Sequence, residues 1–143
     1  MLRILDNPLQ DIPMAAVLAS PIVGMDDEEL AQIRSAFKGV SFAQAALSAM
    51  AGEDGYEDEK LKAFALVFER LRGAVADTPI HELLYMMLDE TGFYRYASAM
   101  PAGKRRRQNI DMLIEMAAAY EKTSYKGLFH FVRYLSLIHI SEP

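Results

Sequence analysis

Apolar residues recur along this chain at intervals of three and four, the spacing that turns one face of an α-helix toward a core. Leu61, Phe64, Ala65, Phe68, Leu71 and Val75 form the clearest stripe. Leu83, Leu84, Met87 and Leu88 form a second. Ile110, Leu113, Ile114, Ala117 and Tyr120 form a third. Near the end, Leu128, Phe129, Val132 and Leu135 are expected on the apolar side of a last helix. No run of alternating β-branched residues reads as a strand.

Capping and breaking residues divide the pattern into helices. Asp11 is placed to cap a helix over about residues 12–19, with Pro13 in the first turn, and Ser20-Pro21 stops it. Asp26 with Glu29 three residues on makes a capping box, opening a helix that runs to about Lys38 before Gly39. Ser41 with Gln44 repeats the device, and that helix closes at Gly52. Acidic residues 53–59 read as a loop leading into the Leu61 stripe. Thr78-Pro79 starts the next helix and Gly92 stops it. Phe93-Tyr94-Arg95-Tyr96 reads as a short aromatic turn. A long helix then spans about Lys104 to Glu121, and Ser124 opens the last one. These signals predict an all-α single domain of about seven helices, with a helix–hairpin–helix-like N-terminal part over residues 14–37.

Composition supports that picture and narrows the class. Of 143 residues, 52% are apolar and 24% charged, enough for one domain with a core. The longest charge-free stretches, residues 12–25 and 39–52, fall short of the roughly 20 residues that span a bilayer. The N-terminus has no basic lead into an apolar signal core. Cysteine is absent, which excludes disulfides and thiolate zinc sites. A cytoplasmic chain with no membrane partner is the expectation.

Charge is unevenly distributed. Residues 1–94 carry 7 Lys/Arg against 16 Asp/Glu, whereas residues 95–134 carry 8 against 3. Such polarity suits an oriented contact with an anionic partner, or a merely uneven solvated surface.

Catalytic chemistry is nearly absent. No phosphate-binding GxxxxGK[ST] loop, GxGxxG or GxSxG elbow occurs. His81, His130 and His139 lack ligand spacing; His81-Glu82 reads as a solvated first turn and His130 as a packed helix residue. Two binding surfaces remain. Lys104, Arg105, Arg106 and Arg107 fan around the axis at a helix start, where cations oppose the macrodipole. They suit phosphates or an acidic partner, or a solvated face paired with Asp111 and Glu115. The hairpin Ser20-Pro21-Ile22-Val23-Gly24-Met25 suits presentation of backbone N–H groups to a DNA phosphate. Asp26, Asp27, Glu28 and Glu29 follow it at once and would repel one.

Several ordered pieces carry a family resemblance. Leu5-Asp6-Asn7-Pro8-Leu9-Gln10-Asp11-Ile12-Pro13, Val17-Leu18-Ala19-Ser20-Pro21-Ile22-Val23-Gly24-Met25 and Glu28-Glu29-Leu30 come first. Glu90-Thr91-Gly92-Phe93-Tyr94, Met100-Pro101-Ala102-Gly103, Arg107-Gln108-Asn109-Ile110 and Tyr120-Glu121-Lys122-Thr123-Ser124-Tyr125-Lys126-Gly127-Leu128-Phe129 follow. Over about residues 3–134 the chain resembles the AddA family of ATP-dependent helicase/nuclease subunits, which are UvrD/Rep-like superfamily 1 DNA helicases. The resemblance implies the helical 2B-type insertion of the helicase C-terminal region, which touches duplex ahead of the fork. It implies a parent enzyme that uses ATP and Mg²⁺, pairs with an AddB-type nuclease partner and resects double-strand breaks for recombinational repair. This stretch itself holds no cofactor or catalytic motif, and its neighbours in the parent chain would be the motor domains. By match to the family's hairpin, Ser20, Gly24 and Met25 are the expected contacts to double-stranded or forked DNA.

Residues 135–143 depart from the family and look like translated transposase-adapter sequence, so they are expected to be a non-native tail. Three readings therefore compete: a DNA-facing helical fragment inactive on its own, a stand-alone helical protein–protein interaction module using residues 104–107, and a small independent enzyme. The lack of any catalytic constellation disfavours the third.

Overall fold

A computed structural model describes residues 1–123 and 127–138. Every regular element among them is helical. The helices gather into two compact units, Met1–Arg72 and Gly73–Pro143.

In the first unit, α1 (Leu2–Asp6), α2 (Asp11–Ala19), α3 (Asp27–Ala36), α4 (Phe42–Met50) and α5 (Glu59–Ala74) pack on a core that includes Ile4, Met14, Leu18, Ile33, Leu61 and Leu71. The α5 stripe is buried as its spacing predicts, with Leu61, Phe64, Phe68 and Leu71 inside. Helix α1 has no sequence signal of its own, and tertiary contacts hold it. Its Ile4 and Leu5 are fully buried, and the Arg72 guanidinium donates to the carbonyls of Leu5 and Asp6 at its C-terminal end. The Gln10 amide adds bonds to the Arg3 and Asn7 carbonyls, both 2.9 Å. A cation at a helix C-terminus also complements the macrodipole.

Caps follow the sequence closely, with informative shifts. Asp26 and Glu29 form the expected capping box, and the Ser41 hydroxyl accepts from the Gln44 amide at 3.2 Å. Asp11, expected to cap its own helix, lies inside α2; its carboxylate instead accepts from the Ala43 amide at 2.9 Å, in the first turn of α4. That amide is one of the orphan donors every helix start leaves. Helix α3 ends at Ala36, short of the expected Lys38. The acidic segment contains a 3-10 turn at Glu53–Gly55, and Asp58 accepts from the Leu61 amide at 3.1 Å to begin α5.

In the second unit, α6 (Ile80–Thr91) ends at Gly92, whose φ of +67° supplies the expected stop. The four residues read as an aromatic turn belong to a helix, α7 (Phe93–Ala99). Helix α8 (Gly103–Thr123) turns Ile114 and Ala117 inward, and α9 (Gly127–Ile138) completes the unit. On α9 the buried residues are Leu128 and Phe131, whereas Phe129 is 50% exposed. The inward stripe is thus Leu128, Phe131, Val132 and Leu135, and Phe129 falls off it by about 100°. Tyr120 joins this core through ring contacts to Phe131 and Tyr134, at 5.5 and 5.0 Å between centroids. His130 is exposed against the edge of Phe129, which corrects its reading as a packed residue. Ser124 and residues 139–143 lie outside the described residues. Among the described residues no helix is long and apolar enough to cross a membrane.

Candidate functional site

The two sequence candidates fall in different units. In the hairpin, the Ser20 hydroxyl donates to the Val17 carbonyl at 2.6 Å and accepts from the Ile22 amide at 3.2 Å. The Ser20 carbonyl accepts from the amides of Val23 at 3.1 Å and Gly24 at 2.7 Å. The Met25 amide donates to the Leu18 carbonyl at 2.9 Å. Gly24 takes a φ of +80°, the left-handed region where a Cβ is costly. Met25 is buried. Four successive backbone donors that a hairpin could offer to a phosphate are therefore engaged inside the turn.

Electrostatics at the hairpin point the same way. Lys60 from α5 donates to the Gly24 carbonyl at 3.0 Å and to the Glu29 carboxylate at 2.8 Å. Hydrogen bonding from Lys60, with that from the Asp26 amide, holds the Glu29 carboxyl below its ordinary range. The same bond raises the Lys60 ammonium. Asp26, Asp27 and Glu28 surround the turn, exposed. Of the hairpin residues named from the resemblance, Ser20 shapes the turn, Gly24 permits it and Met25 anchors it.

The basic turn is arranged differently. Gly103 begins α8 against the backbone of Ser98, where any Cβ would collide with the Ser98 carbonyl. Ala102 before it takes a φ of +62°. This tight corner brings the chain from α7 into α8 and projects Lys104, Arg105, Arg106 and Arg107 outward, all four exposed. Arg106 is tethered, its Nε donating to the Pro101 carbonyl at 3.1 Å. Among the described residues the four cations make no ion pair with Asp111 or Glu115. Asp111 instead accepts from the Tyr94 hydroxyl at 3.4 Å. No acidic residue occupies the first turn of α8, so the cations there are not offset within that turn, and the helix dipole opposes them.

Sequence reasoning missed one polar link. His81, read as solvated, donates its backbone N–H to Glu121 at 3.0 Å, and its Nδ1 lies 2.7 Å from the same carboxylate oxygen. Burial pushes the Glu121 carboxyl up, but hydrogen bonds from the His81 ring and backbone outweigh it and leave the group below its ordinary range. Forty residues separate the pair, so no local pattern could reveal it. Among the described residues no group of three or more His, Asp or Glu side chains converges on a metal position.

No protein-family model matches the chain. Individual relatives do. The chain is 43% identical over 144 residues to the AddA-type ATP-dependent helicase/nuclease subunit of Anoxybacillus flavithermus, covering 99% of this chain and 12% of that protein. The chain resembles one segment of AddA-type helicase/nuclease subunits. The same-named protein of Bacillus cytotoxicus is 42% identical over 140 residues, covering 95% of this chain and 11% of the relative. For that of Bacillus velezensis the figures are 39% over 137 residues, 94% and 11%. The chain therefore spans about an eighth of the length of the helicase/nuclease subunits it matches.

Proposed function

We propose that residues 1–134 are the DNA-facing helical part of an ATP-dependent helicase and exonuclease that resects double-strand breaks for recombination. In this reading they correspond to the 2B-type insertion of UvrD-like motors. ATP turnover and Mg²⁺-dependent cleavage belong to motor and nuclease parts outside these residues, and an AddB-type partner completes the enzyme in the cytoplasm. The names of the relatives support the helicase/nuclease context. The observation that carries the DNA-facing role is the exposed turn of Lys104, Arg105, Arg106 and Arg107, which no carboxylate among the described residues neutralises.

Mechanistically, such a turn binds phosphates by displacing condensed counterions, so its contribution is electrostatic and indifferent to base sequence. Arg106 is braced on Pro101, which leaves Lys104, Arg105 and Arg107 as the freer cations. Three phosphate contacts predict that log K for forked or duplex DNA falls against log salt with a slope of about −2.7. Arg105→Gln with Arg107→Gln should reduce that slope to about −0.9. Fluorescence anisotropy of a labelled fork measures it, and a wild-type slope near zero would remove the basic turn from DNA contact.

A further inference from the structure

The second unit holds a cavity of about 450 Å³ between α6, α7 and α8, within the usual range for small-molecule sites. Its floor is apolar, formed by the buried Leu88 and Ile114. Tyr85, 57% exposed, and the half-buried Tyr94 line it as well. Gly92 lines it without a side chain, and nothing lies within 4 Å of where its Cβ would be. The charged lining residues are Asp89, Asp111 and Arg95.

Each part of this lining selects a property of the occupant. Two phenol rings over an apolar floor favour a flat aromatic ring. Carboxylate oxygens accept hydrogen bonds, so Asp89 and the Asp111 oxygen not facing Tyr94 favour an edge carrying N–H groups. Arg95 disfavours a cationic guest and suits a phosphate. Lys104 and Arg107 precede Asp111 by seven and four residues on α8, which places these two cations on the same helix face as the cavity. An aliphatic guest would leave the Asp89 carboxylate without use.

We infer that this cavity receives one unpaired nucleobase bearing an exocyclic amino group, with guanine, whose N1–H and N2–H sit side by side, preferred over thymine. That the base comes from a DNA strand rests on the function proposed above. The chemistry of the cavity does not. At a fork, the phosphates would lie along Lys104 and Arg107 while one splayed base enters beside Tyr85.

The test uses mononucleotides, so it does not depend on duplex binding. Titration of the 143-residue chain with dGMP, TMP and 2-deoxyribose 5-phosphate is followed by amide NMR signals. With dGMP, shifts centred on Leu88, Gly92 and Ile114 are expected, with roughly tenfold weaker binding of TMP. Tyr85→Ala, an exposed position, should weaken dGMP binding roughly fivefold or more. Asp111→Asn should erase the preference over TMP. Absence of dGMP shifts at millimolar concentration, or equal shifts from the sugar phosphate, would overturn the inference. So would a Tyr85→Ala chain that binds dGMP like wild type. If dGMP binds the cavity while the fork shows no salt-dependent binding, the base site stands and the DNA-facing role falls.

Discussion

The hairpin of the first unit and the α8 start of the second are both helix N-termini, the commonest protein device for meeting a phosphate. They treat their polar groups in opposite ways. At the hairpin the amides of Ile22, Val23, Gly24 and Met25 are satisfied within the turn, and Asp26, Glu29 and Lys60 close a second ring of bonds around it. At α8 a tight backbone corner carries four exposed cations that no ion pair among the described residues neutralises. A self-satisfied terminus stabilises the fold, and one carrying exposed, unneutralised charge is available to a partner. Outline and spacing suggested the hairpin as a contact; hydrogen-bond accounting favours the basic turn.

The contrast can be strained from either side. The largest effect is expected at Gly103: Gly103→Ala drives a Cβ into the Ser98 carbonyl and should cost about 3 kcal/mol or more, read by urea denaturation. A loss below about 1 kcal/mol would mean that the corner relaxes easily. Gly24→Ala meets no atom within 4 Å but must hold a left-handed φ, so a loss of about 1–2 kcal/mol is expected. The two glycines thus separate steric exclusion from backbone strain. Asp26→Ala should cost about 1 kcal/mol through the lost cap and should leave the salt slope of DNA binding unflattened. Clearly tighter DNA binding by this variant would return the hairpin to the interface.

The smallest effect is a pH dependence. The folded state holds the Glu121 carboxyl below its ordinary value, so the stability this group adds is present at neutral pH. It is lost as pH falls from the ordinary carboxylate range through the depressed folded value. Thermal melts of Glu121→Gln between neutral pH and about pH 3 should be flatter than wild type in that acid range. Parallel curves would show that Glu121 contributes no linkage.

Helices with apolar stripes and caps were readable in the sequence because both signals are local. The stripe of α5, the capping box at Asp26 and the stop at Gly92 each need no more than a few turns of chain. What escaped notice was decided at a distance. Helix α1 is held by burial of Ile4 and Leu5 and by Arg72 on its last carbonyls, and α7 lies between the Gly92 stop and the Gly103 corner. On α9 it is Phe131, not Phe129, that is buried and meets Tyr120 of α8. The basic turn could be read as a candidate from four adjacent residues. Its lack of an ion pair with Asp111 could not, because that depends on where side chains of α7 and α8 sit, not on spacing along the chain.

The closed hydrogen bonding of the hairpin also sets a clock. Gly24 is exposed, yet its amide is held at 2.7 Å by the Ser20 carbonyl, with its neighbours similarly bound. Its proton can exchange with solvent only when the turn opens as a unit. Amide exchange at residues 22–25 should therefore slow together, giving a surface segment the kinetics of an interior one.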